Sequence, residues 1–167
     1  MEYHVAKTGN DANLGTAEQP FLTINHAAQL AVAGDTVTVH AGVYREWVNP
    51  ANGGTEDARI IYQSAGDGEV VISGAEQVKG WKNEEGQVWS AEVGNSLFTH
   101  RNPFKEDLAG DWLFKGAFVP HLGDVYVNKK SLYEIDSVEK MQNPEAWPQA
   151  KYPEDSKRMW YAEVNEK

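Results

Sequence analysis

The sequence predicts an all-β chain of short strands turning tight corners. Three observations carry this. Thr36–His40, Tyr44–Val48, Arg59–Ser64 and Val70–Ser73 are short runs rich in β-branched or aromatic residues, each followed by a glycine-containing or polar turn. An offset of 23 residues places Ile60 under Val37 and Val71 under Val48, as in strands that climb on themselves in a coil. Gln87–Val93 alternates cleanly, as a strand exposed on one face does. On periodicity alone, a parallel coil and a β-sandwich account for this spacing equally well.

Tyr3–Ala6 opens the chain as a strand, and residues 8–20 form a loop rich in Gly, Asn and Asp. Thr23 stands where a helix N-cap belongs, and Ile24, Ala27, Ala28 and Ala31 follow the one-face spacing of a short helix that Gly34 ends. Its narrow alanine face suits a helix lying close against backbone, as a lid on the end of a sheet. Gly42 then permits the corner between the first two strands of the run. After Gly80 the texture changes, so a boundary is placed there, with residues 1–80 as one unit and 81–167 as a second, incomplete β unit. In the second unit, Asp124–Ile135 reads as a hairpin turning at Asn128-Lys129, Asp136–Met141 as one helical turn, and residues 142–157 as an exposed loop. Trp-x-Ala-Glu-Val occurs at both Trp89 and Trp160, either in neighbouring strands or by coincidence.

The 167 residues are 41% hydrophobic, enough for a core. The net charge of −10, from 25 acidic and 15 basic residues, argues against nucleic acid or an anionic membrane as partner, because polyanions require a basic patch. No cysteine is present, which excludes disulfides, thiolate zinc sites and a cysteine nucleophile. MEYHVAK lacks a basic stretch followed by an apolar run, so the chain reads as intracellular and cytoplasmic unless an export signal has been removed. Strands of a solenoid bury their faces only against neighbours, and residues 36–74 supply fewer than two rungs, so the chain reads as an N-terminal piece of a longer protein, with the remainder of that protein as its first partner.

No phosphate loop, HExxH, GxSxG or GxGxxG motif is present. His4, His26, His40, His100 and His121 lack ligand spacing, and all but His121 read as surface or satisfied core side chains; no metal or cofactor is expected. Glu46 and Glu69 share the 23-residue offset, and stacked carboxylates one rung apart would match the separation of about 5 Å used by retaining glycosidases. Both adjoin turns in a chain rich in acids, so they stand only as candidates. Aromatic faces suit the apolar faces of sugars. Trp89 and Trp160 are expected to pack between sheets, with Trp47 and Trp81 packed after turns. Trp112, beside Asp111 in the polar run Arg101–Trp112, is the best ligand-contact candidate.

The opening YHVAKTGNDANLGTAEQPFLTINHAAQLAVAGDTVTVHAGVYREW resembles the start of right-handed parallel β-helix proteins of the pectate-lyase-like superfamily. The runs NPFKEDLAGDWL, HLGDVYVNKKSLYE and MWYAEV narrow the resemblance to bacterial β-xylosidases in which a β-sandwich interrupts that helix near its start. The resemblance implies the start of a parallel β-helix with a short N-terminal capping helix, followed by part of a flanking β-sandwich. It also implies a retaining hydrolase acting on xylo-oligosaccharides, with a nucleophile and an acid/base beyond residue 167. Trp112, with Asp111 beside it, would then line one wall of a sugar pocket, and His121 would either serve a neighbouring wall or order the hairpin. A non-catalytic carbohydrate-binding module and a polysaccharide lyase are the alternatives, the lyase disfavoured by the negative charge. A homo-oligomer is compatible with the sequence.

Overall fold

The computed structural model describes residues 1–98, 101–113, 116 and 118–164. It divides into two compact units, Met1–Gln77 and Val78–Lys167.

In the first unit, β1 (Glu2–Val5), β2 (Thr36–Val39) and β4 (Ile61–Ser64) form a parallel three-stranded sheet in the order β1-β2-β4. A second parallel pair joins β3 (Gly42–Arg45) to β5 (Val70–Ser73). Val37 lies opposite both Tyr3 and Tyr62, and Val43 lies opposite Val71. The 23-residue offset read from the sequence is therefore corrected: Val37 stacks on Tyr62 and not Ile60, and Val71 stacks on Val43 and not Val48. The turns between strands have unequal lengths, which a fixed offset cannot follow. The opening strand, left out of the coil by the sequence reading, is the ladder's first member.

Helix α1 (Ile24–Leu30) packs its apolar face on this sheet. Val5, Phe21, Ile24, Ala27, Ala31, Val37, Val39 and Tyr44 form the core, with the alanines allowing the close approach. All four amide groups of the helix's first turn find acceptors, as an isolated helix end cannot provide. Glu46 takes the amides of Ile24 and Asn25, the Thr23 hydroxyl takes that of His26, and the Thr23 carbonyl takes that of Ala27. Asp11 in turn accepts from the amides of Leu22 and Thr23 and from the Thr23 hydroxyl, at 2.8 to 2.9 Å. The helix ends at Leu30, four residues before the glycine expected to stop it. The backbone leaves the helix at Ala31, where ψ is 135°, and the Asn52 side chain donates to the Ala31 carbonyl at 3.0 Å, while the Asp35 carboxylate accepts the Val32 amide at 3.0 Å. Gly34, at φ +89°, serves the following turn.

The corner between β2 and β3 is held from inside and outside. The buried Tyr44 hydroxyl lies 2.8 Å from the His40 carbonyl and 3.2 Å from that of Val5. From outside, Asp67 accepts the Ala41 amide at 2.9 Å. The last strands of both ladders, β4 and β5, leave Ile61, Tyr62 and Ile72 exposed.

The second unit consists of small sheets. β6 (Lys82–Glu85) pairs antiparallel with β7 (Val88–Ser90) around Gly86. β8 (Tyr126–Val127) and β9 (Lys130–Ser131) form the expected hairpin, with Asn128 and Lys129 at φ 52° and 65°, the left-handed pair that such a two-residue turn requires. β10 (Tyr133–Glu134) pairs in parallel with β11 (Met159–Trp160), and α2 (Val138–Gln142) lies between them in sequence. The two Trp-x-Ala-Glu-Val phrases are thus not neighbouring strands: β7 pairs with β6, and β11 with β10. Trp160 is buried, but Trp89, Trp47 and Trp81 are exposed, contrary to the packing expected for them. The loop of residues 142–157 contains a 3₁₀ turn, Pro153–Lys157, and buries Ser156, whose hydroxyl accepts the Trp147 amide at 2.7 Å.

Candidate functional site

Glu46 and Glu69 do not form a catalytic pair. Gly42 faces Val70 and Arg45 faces Ser73, so Glu46, just past β3, and Glu69, just before β5, sit at opposite ends of that ladder. Both oxygens of Glu46 are committed to helix amides, at 3.1 and 2.7 Å. Glu69 is exposed, and its backbone carbonyl accepts the Gly42 amide.

A polar network that no sequence motif marks runs along the face of the first unit's sheet that carries His4, Thr38 and Gln63. His4 Nδ1 lies 3.1 Å from His40 Nε2, and His40 Nδ1 lies 2.7 Å from Asp67. This bond to His40, together with the Ala41 amide, holds the Asp67 carboxyl below its ordinary range. Nearby, Thr38 donates to Glu2 at 2.6 Å and accepts from Gln63 at 3.2 Å. Parallel register carries this network: His4 and Gln63 both face Thr38 on its neighbouring strands. Its members come from distant stretches of chain, and no local motif announces them. His100 lies outside the described residues.

In the second unit, residues 103–108 and 120–123 run antiparallel. Leu108 donates to Pro120 at 2.7 Å, Leu122 to Glu106 at 2.8 Å, and Asp107 bridges His121. Beneath them Phe104 meets the Trp160 indole edge-on, with ring centres 5.4 Å apart. Glu134 stands opposite Trp160 in the β10–β11 pair, and its carboxylate reaches His121. One oxygen accepts the His121 amide at 2.8 Å, and the other lies 2.5 Å from His121 Nδ1. The Glu134 side chain is only 10% exposed and that of His121 23%. Sequence reading selected His121 but missed Glu134, which lies 13 residues away and carries no motif.

Further along the same loop, the Leu113 amide closes a turn onto the Gly110 carbonyl at 3.2 Å. Trp112 folds back over Gly110 so closely that a Cβ at position 110 would sit 2.3 Å from its indole nitrogen. Trp112 is nevertheless 64% exposed. Asp111 beside it is exposed and makes no hydrogen bond through its carboxylate among the described residues. The turn thus presents an aromatic surface next to an available carboxylate, a pairing suited to a polyol with one apolar face. Among the described residues, no group of histidine and acidic side chains is placed to hold a metal ion.

Residues 78–167 match the family of the glycoside hydrolase 120 insertion domain, and the chain belongs to that family. Residues 7–94 also match a family described as a protein of unknown function, DUF1565. Among solved structures, the complex of XylC with xylose is 48% identical, with a TM-score of 0.90 over 99% of this chain and 28% of that one. A second, described as a glycoside hydrolase, is 26% identical with a TM-score of 0.56, covering 87% of this chain and 23% of that one. The curated protein YwoF of Bacillus subtilis (strain 168) is 39% identical over 71 residues, 42% of this chain and 15% of YwoF. The chain thus spans between about a seventh and about a quarter of the length of these relatives.

Proposed function

We propose that the chain is the N-terminal part of a retaining β-xylosidase that releases xylose from xylo-oligosaccharides. The likeness to XylC, a structure holding xylose, over 99% of this chain carries the proposal. In this reading the nucleophile and the acid/base lie outside residues 1–167, in agreement with the separation of Glu46 from Glu69. A retaining hydrolase needs two carboxyl groups about 5 to 5.5 Å apart flanking the scissile bond. Here the chain contributes one wall of the pocket. Trp112 offers its exposed face to a pyranose ring, Asp111 accepts from a ring hydroxyl, and His121 supplies a second polar contact.

The same proposal gives the first unit its architecture: the two parallel ladders begin a right-handed β-helix, and α1 covers its first coil. The in-register stacking of β1, β2 and β4 supports this, as do the exposed Ile61, Tyr62 and Ile72 on the last strands, which further coils would cover.

Hydrolysis of an aryl β-xyloside by the full-length protein tests the function. Activity absent from residues 1–167 and present in the whole protein is the expected result. Binding of xylo-oligosaccharide without hydrolysis by the whole protein would favour a carbohydrate-binding module instead.

A further inference from the structure

Glu134 is not in any position to touch a sugar directly. Both of its carboxylate oxygens are turned onto one residue, accepting the His121 amide at 2.8 Å and meeting the His121 ring at Nδ1, 2.5 Å away. An ionised carboxylate only accepts hydrogen bonds, so the ring nitrogen that faces it must be the one carrying hydrogen. In the neutral ring this leaves Nε2 with a lone pair. No described residue bonds to Nε2, and the His121 side chain is 23% exposed. The Trp160 indole, 6.4 Å from the ring centre and tilted by 40°, flanks the imidazole.

We infer that Glu134 is a positioning residue that fixes His121 as a hydrogen-bond acceptor, so that Nε2 reads a donated hydroxyl of a neutral pyranoside. This rests on the xylosidase reading above for its substrate. Glutamine at position 134 reverses the polarity. Its single carbonyl oxygen satisfies the His121 amide, its NH₂ group then donates to Nδ1, and the ring's hydrogen moves to Nε2, which becomes a donor.

The test uses the full-length enzyme and its E134Q, H121A and doubly substituted forms, with an aryl β-xyloside as probe. E134Q is expected to raise KM about fivefold, the loss of one modest hydrogen bond, with kcat within about twofold. In the H121A background the same change leaves KM unaltered. ¹⁵N NMR of the histidine rings reads the tautomer without substrate, expected as Nδ1–H in the native protein and Nε2–H in E134Q. A native Nε2–H tautomer, an unchanged KM in E134Q, or an equal rise in KM with and without His121 overturns the inference. If the native enzyme leaves xylosides intact, the xylosidase reading falls and with it the proposed substrate of Nε2, whereas the tautomer reversal independently decides the role of Glu134.

Discussion

The carboxylate of Glu46 accepts the Asn25 backbone amide at 2.7 Å, and its second oxygen accepts that of Ile24, so an acid beyond β3 completes the first turn of a helix that starts 22 residues earlier. This bond ties the residue after β3 to the start of α1, and it has a kinetic corollary. Glu46→Ala leaves two helix amides without their partner and is expected to destabilise the first unit by about 1–2 kcal/mol. Urea unfolding measures this. Once folded, the full-length variant keeps its kcat; a loss of several orders of magnitude in a folded variant would return Glu46 to catalysis.

Asp11 makes the same unit sensitive to acid. Burial pushes its carboxyl up, but the Thr23 amide and hydroxyl, the Leu22 amide and the charge of His26 together outweigh burial and hold it below 3.8. A carboxyl with a depressed folded value contributes stability above its unfolded value and loses it as pH falls through the folded one. Stability from Asp11 is therefore complete above about pH 5 and disappears below 3.8. Asp11→Asn is expected to flatten the acid limb of a stability profile, at the cost of lower stability at neutral pH; an unchanged acid limb contradicts this.

Tyr44 acts at the other end of the pH scale. Burial first, then the charges of Asp67 and Glu46, raises its hydroxyl above 10.0. A raised folded value means that its contribution is whole below about pH 10 and is lost as pH climbs through the folded value. Tyr44→Phe removes the hydroxyl that donates to the His40 carbonyl, while the Val5 carbonyl keeps the His40 amide, and should cost about 1–2 kcal/mol at neutral pH, read by thermal unfolding.

Gly110 offers a way to move Trp112 without removing it. A methyl group at 110 would occupy the space of the indole, 2.3 Å from its nitrogen. Gly110→Ala should therefore raise KM for an aryl xyloside almost as much as Trp112→Ala, about tenfold for loss of an aromatic contact of about 1.5 kcal/mol. An unaffected KM in both variants would remove the indole from the sugar pocket.

Local signals in the sequence reached what local chemistry determines. β-Branched alternation placed β2 and β5, Thr23 marked the helix start, and Asn128-Lys129 marked the hairpin turn. Register escaped, because Val37 meets Tyr62 only after a loop whose length follows no fixed period. The helix end escaped because the backbone turns out at Ala31, whose carbonyl is taken by Asn52, a side chain 21 residues further on. Tryptophan burial was half legible: alternation suggests an inward face for Trp89 and Trp160 alike, but only β11 has Phe104 and His121 packed over its indole. Loop context and family resemblance name Trp112 and His121 as candidates. Glu134, Asp67 and the His4–His40 contact arise from pairing across strands and loops, which one sequence does not display.

The most direct measurement is the hydrolysis of an aryl β-xyloside by the full-length protein and by residues 1–167 side by side, with the released anomer followed by NMR. Release of β-xylose first, by the full-length protein alone, is the expected result. Hydrolysis by residues 1–167 alone, or no hydrolysis by the full-length protein, would contradict it.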